Sequence, residues 1–152
     1  MSSTTGQDFA RIMGRDLESL EREIGLYSDD EALWTLAGEI KNSAGTLATH
    51  LVGNLEHFVG AVLGSTGYVR DRELEFSERG TGRSELQARI AACRERMVDV
   101  LSGLDAEAMS APYPGKAPAS LEDPSTHLFL LHLSGHLMWH LGQIDYHRRI
   151  LG

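Results

Sequence analysis

Four stretches of the chain repeat apolar side chains at three- and four-residue intervals, the period of a helix with a buried face. The first runs from about Asp8 to Ile24, where Phe9, Ile12, Met13, Leu17, Leu20 and Ile24 form one stripe. The second, from about Ser43 to Leu63, reads SAGTLATHLVGNLEHFVGAVL, and Ser43 has the chemistry of an N-cap. The third, from about Ser84 to Leu104, carries Leu86, Ile90, Cys93, Met97, Leu101 and Leu104. The fourth spans about Ser125 to Leu151, with Ser125 or Thr126 as its cap. No stretch alternates with a period of two over enough residues to build a sheet, so the pattern predicts an all-α fold.

The connections are long. Residues 25–42 have room for a short helix capped by Ser28 or Asp29, residues 64–83 join the second and third helices, and residues 105–124 hold all four prolines. Such lengths suit a four-helix bundle in which at least one crossover joins parallel neighbours. A chain of 152 residues with one packing pattern throughout is expected to form a single domain, 1–152.

Two of the helices are apolar on more than one side. In the second, Val52, Leu55, Val59 and Leu63 lie opposite the side that carries His50. In the fourth, Leu131, Met138 and Leu141 lie opposite His136. A helix of that kind needs cover on both sides, which predicts a homodimer through helices 2 and 4. Gly45, Gly53, Gly60, Gly135 and Gly142 interrupt these same helices, each at about 1 kcal/mol against alanine, and close helix approach is the expected compensation.

Composition narrows the function. The net charge is −8 and the basic residues are scattered, a surface that repels phosphate backbones, so no nucleic-acid partner is expected. No apolar run approaches membrane-spanning length, and the N-terminal residues lack the pattern of a secretory leader. With one cysteine, Cys93, no internal disulfide forms, and a cytoplasmic location is the expectation. Cys93 sits on an apolar stripe and is not read as a nucleophile.

The candidate chemistry lies in the histidines. Of seven, four fall between residues 132 and 147. At 100° per residue, with His136 at zero, His140 falls near 40°, His132 near −40°, Gln143 near −20° and His147 near 20°. Leu133, Ile144, Leu128 and Trp139 frame this polar strip. Histidines four apart have Cβ atoms roughly 6 Å apart on one face, close enough to share a divalent metal. A third imidazole from the second helix would complete a three-histidine site with positions left for water or substrate. Spacing leaves His50, His57 and His132 all open as that third group. Imidazoles suit zinc, nickel, iron and copper, so ligand type alone does not select the metal, and zinc or nickel is the expectation.

Three segments resemble the DinB/YfiT-like superfamily: NSAGTLATHLVGNLEHF at 42–58, RDRELEF at 70–76 and HLMWHLGQIDYHRRIL at 136–151, with SDDEALW at 28–34 in support. The resemblance covers nearly the whole chain. It implies an up-down-down-up four-helix bundle, often dimeric, with a three-histidine divalent-metal site. Matched residue by residue, the ligands are His50, His136 and His140, while His57 and His132 become neighbours or pocket lining. Relatives include thiol-dependent transferases and isomerases, which implies a metal-dependent thiol S-transferase with a low-molecular-weight thiol as cosubstrate. The alternatives are a metal-dependent hydrolase and a non-catalytic metal- or small-ligand-binding dimer. A di-iron oxidase is disfavoured, because Glu-x-x-His spacing is absent.

Around that triad, Asn54 and Gln143 are placed to bond a ligand ring nitrogen or a metal-bound water. Arg70, Arg72 and Glu75 either meet a substrate carboxylate or pin the crossover to the bundle, and the second role is favoured. Trp139 and Tyr146 are expected in the core or a dimer interface.

Overall fold

The computed structural model describes residue 2 and residues 4–152, so residues 1 and 3 of the expected domain lie outside it. Among the described residues the regular structure is helical, with one isolated bridge between Pro112 and Ser125. Helix α1 is Thr5–Gly25. It starts before the first apolar position because Thr4 and Gln7 form a reciprocal capping box. Its stripe of Phe9, Met13, Leu17, Leu20 and Ile24 is buried, whereas Ile12 stays partly exposed.

Helix α2 begins at Ala44 with Ser43 as its cap, runs regularly to Leu55, passes through a π-helical stretch Glu56–Ala61 and ends in Val62–Gly64. Before it, Asp29 caps a 3₁₀ turn at Ala32–Trp34 by accepting from the Ala32 N–H. The Trp34 ring lies flat on Gly45, where a Cβ would sit 2.8 Å from the ring. In the next connection a short helix, α3, covers Arg72–Ser77 and is capped by Asp71. Helix α4 is Arg83–Ser102, α5 is Ala106–Ser110 and α6 is Thr126–Leu151 with Ser125 as its cap. The short helices α3 and α5 are absent from the expectation because each is under two turns, too short to show a period.

The four long helices touch in a ring: α1 against α4 and α6, α2 against α4 and α6. Their buried apolar residues make one continuous cluster. The second side of α2 is covered from within the chain, since Leu55 and Val59 are fully buried. Val52 and Leu63 on the same side are half-buried against that cluster. Helix α6 differs: Leu128, Leu131, Met138, Trp139 and Tyr146 are exposed, and nothing lies within 4 Å of a Cβ built on Gly135 or Gly142. The glycines of α2 make room mainly for side chains of the connections, Trp34 at Gly45, Glu75 at Gly53 and Thr66 at Gly60, rather than for a long helix; those of α6 meet none in this chain. No helix among the described residues is long and apolar enough to cross a membrane.

Candidate metal centre

One ring nitrogen from each of His50, His136 and His140 comes within 4.8 Å of the other two. His50 reaches the cluster from α2, and the other two come from successive turns of α6. His57, seven residues beyond His50, lies about 10 Å further along the helix axis, with its ring against Phe58. His132 lies one turn before His136, is exposed, and stacks on Phe129.

The protonation of His50 follows from its neighbour. Its Nδ1 lies 3.0 Å from Glu75 Oε1. Burial pushes the Glu75 carboxyl up, but hydrogen bonds from Arg70 and His50 outweigh it and hold the group below the usual carboxylate range. An ionised carboxylate only accepts, so Nδ1 carries the proton and Nε2 is left bare. Arg70 forks onto both Glu75 oxygens at 2.8 Å, and its guanidinium lies over Phe58. The carboxylate can come this close to α2 because residue 53 is glycine; a Cβ there would collide with it. Within HLVGN, His50 supplies the imidazole and Gly53 admits the group that orients it.

His140 is oriented in the same manner by a different group. Its Nδ1 donates to Gln143 Oε1 at 2.7 Å, which leaves Nε2 free. His136 is the third member, with Nε2 only 3.2 Å from His50 Nε2 and a buried Nδ1 that meets no partner. Two ring nitrogens at that separation require a proton or a cation between them. Burial, reinforced by the charges of His140, His50, His132 and Arg70, lowers the His136 pKa to about 4. Burial also lowers His140, against the opposing Gln143 hydrogen bond. A divalent metal takes the place of the proton between His50 and His136, and three imidazoles whose ring nitrogens converge are a donor set it can use, so these residues fit such an ion.

Two spaces of unlike character adjoin the triad. A cavity of about 320 Å³ is walled by His50, Asn54, Arg72, His132 and His136 among others. A larger groove of about 790 Å³ runs beside His140 and Gln143 between Leu47, Trp139, Tyr146 and Ile150. Trp139 and Tyr146 are each 70% exposed and form a groove wall rather than core. Asn54 does not bond a histidine; its Oδ1 is buried without a partner. Arg70 and Glu75 are joined to the triad through His50, a role that spacing alone could not reveal because α3 carries no period. Cys93 is fully buried, and burial, then Glu56, holds its thiol well above the ordinary value, in keeping with an inert side chain.

His147, on the same face of α6, stands apart from the triad. Its Nε2 donates to the Thr35 carbonyl at 2.7 Å, and its Nδ1 lies 2.7 Å from the Tyr27 hydroxyl. Both nitrogens are spent on the protein.

The chain matches no curated protein. The DinB superfamily model matches residues 13–144, a span that holds all three histidines, Glu75 and Gln143. With a helical fold and a three-histidine group that could hold a metal, the chain belongs to the DinB superfamily.

Proposed function

We propose that His50, His136 and His140 bind one divalent metal, zinc or nickel, and that the protein is a metal-dependent enzyme of the thiol S-transferase type. The observation that carries the reading is the convergence of three imidazoles, two of them fixed by Glu75 and Gln143 so that the remaining nitrogen is bare. A divalent metal held there supplies Lewis-acid character, lowering the pKa of a water or thiol that reaches an open position. The chain's own part is to hold three neutral donors, and Glu75 keeps His50 in the required tautomer. The adjoining cavity and groove favour a site with room for a small-molecule substrate over a closed structural one. A low-molecular-weight thiol as cosubstrate comes from family resemblance alone, as does the up-down-down-up helix order, which the ring of helix contacts supports. We read residues 1–152 as one domain, active in the cytoplasm.

A homodimer belongs to the same reading. The exposed apolar face of α6, with Gly135 and Gly142 at its centre, is the surface that supports it. A strictly monomeric mass in light scattering at micromolar protein removes the dimer.

Metal content by inductively coupled plasma mass spectrometry, after purification without a nickel column, tests the site. About one divalent metal per chain is expected in the wild type and none in His136→Ala. A metal-free wild type that binds none on titration ends the metal reading. Metal-dependent consumption of bacillithiol, mycothiol or glutathione with a haloarene tests the reaction, and no consumption of any of the three removes it. In that event the alternatives are a metal-dependent hydrolase and a non-catalytic metal-binding dimer.

A further inference from the structure

Arg70 and Arg72 stand two residues apart at the start of α3 and have different fates. Arg70 gives its fork to Glu75. Arg72 lines the cavity beside the triad with its guanidinium 5.0 Å from the Phe76 ring centroid, and it pairs with no carboxylate among the described residues. Across the same cavity stands Asn54, a residue only 7% exposed, whose Oδ1 has no partner. With its Oδ1 turned inward, the amide presents its N–H side to the cavity, a donor that the protein itself does not use. No aspartate or glutamate lines this space. Glu75, which bonds the lining residues His50 and Arg70, is already shared between them. In a chain of net charge −8, the cavity is thus lined by no carboxylate and by one guanidinium, that of Arg72, without an acidic partner. Its volume of about 320 Å³ admits only a small molecule.

We propose that this cavity is a subsite for a small carboxylic acid, in which Arg72 pairs with the carboxylate and the Asn54 side-chain N–H donates to a neighbouring carbonyl or hydroxyl oxygen. N-acylated and hydroxylated amino-acid-like molecules carry both a carboxylate and such an oxygen. Arginine offers a planar pair of donors that matches a carboxylate in two-point contact. The subsite deepens the metal reading, because His50 and His136 share its wall, but its own chemistry resides in Arg72 and Asn54.

The test uses N-acetylglycine and its neutral counterpart N-acetylglycinamide, titrated by ligand-observed NMR into the full-length protein freed of metal by chelator, then into zinc-loaded protein. Metal-free protein is expected to bind the carboxylate about tenfold more tightly than the amide, a difference of about 1.4 kcal/mol. Arg72→Gln abolishes that preference and leaves amide binding unchanged, Arg72→Lys keeps part of it, and Asn54→Ala weakens both probes several-fold. Arg72 is exposed, so its replacements are expected to fold. Equal binding of the two probes, or a preference that survives in Arg72→Gln, overturns the subsite. Either result is read without metal, so absence of zinc binding and failure of the subsite remain separate outcomes.

Discussion

His147 and His140 lie seven residues apart on one face of one helix, and a helical wheel cannot tell them apart. The structure separates them by what their nitrogens meet. His147 spends both on protein groups, the Thr35 carbonyl and the Tyr27 hydroxyl, and so fastens the segment before α2 onto α6. His140 spends one on Gln143 and keeps the other toward two further imidazoles. The same side chain is a fastener where its hydrogen bonds close and a candidate ligand where one is left over. In a buried setting the number of protein partners, more than position on the helix, decides which role a histidine has.

The comparison breaks most visibly if the fastener is removed. His147→Ala takes the donor from the Thr35 carbonyl and leaves the Tyr27 hydroxyl with the Ile144 carbonyl as its one remaining partner, and is expected to cost about 1–3 kcal/mol in urea unfolding. Metal per chain, measured on the same sample, should not change; a variant that keeps its stability but loses metal would reverse the assignment. Next in size is Glu75→Gln, which removes the charge that fixes the His50 tautomer. Competition against a chromogenic chelator should show metal affinity weakened about 10–100-fold, whereas unaltered affinity would mean that Glu75 only pins the crossover.

Acid sharpens the contrast further. His136 has its pKa lowered from 6.5 to about 4 in the folded chain, so between those values the unfolded chain binds a proton that the folded one refuses. Stability of the metal-free protein therefore falls as pH drops from about 6.5 toward about 4 and levels off below, with His140 acting in the same direction. Urea midpoints across this range should slope less in His136→Leu. An equal slope would place the titrating group elsewhere. The smallest effect is expected from Gln143→Ala, whose amide is exposed: a loss of about threefold to tenfold in metal affinity, the size of one hydrogen bond.

Much of this was legible in the chain itself. The buried stripe of α1, the caps Ser43 and Ser125, and the shared face of His136 and His140 follow from periodicity and cap chemistry. Spacing alone could not choose between His50 and His57, because a wheel discards distance along the axis; the HLVGN match singled out His50. Glu75 was legible only as part of a motif. Its contact with His50 joins residues 25 apart through an irregular crossover, where no period exists to read. The apolar far side of α2 shows a related limit: periodicity reports that a face is covered but not by what, and here Leu55 and Val59 are buried within the chain while Val52 and Leu63 are half-buried. For α6 the same reasoning pointed to a face that this chain leaves bare.

Helix α3 is six residues long, too short to persist alone in water. Glu75, its one buried residue, ties it to His50 and Arg70. Occupancy of the triad and closure of the crossover are therefore thermodynamically linked, since whatever favours the oriented His50 also favours the closed segment. Amide hydrogens of residues 72–78 should exchange more slowly with zinc bound, while those in the middle of α1 keep their rate. The crossover would then report, on a timescale of local opening, whether the histidines are in use.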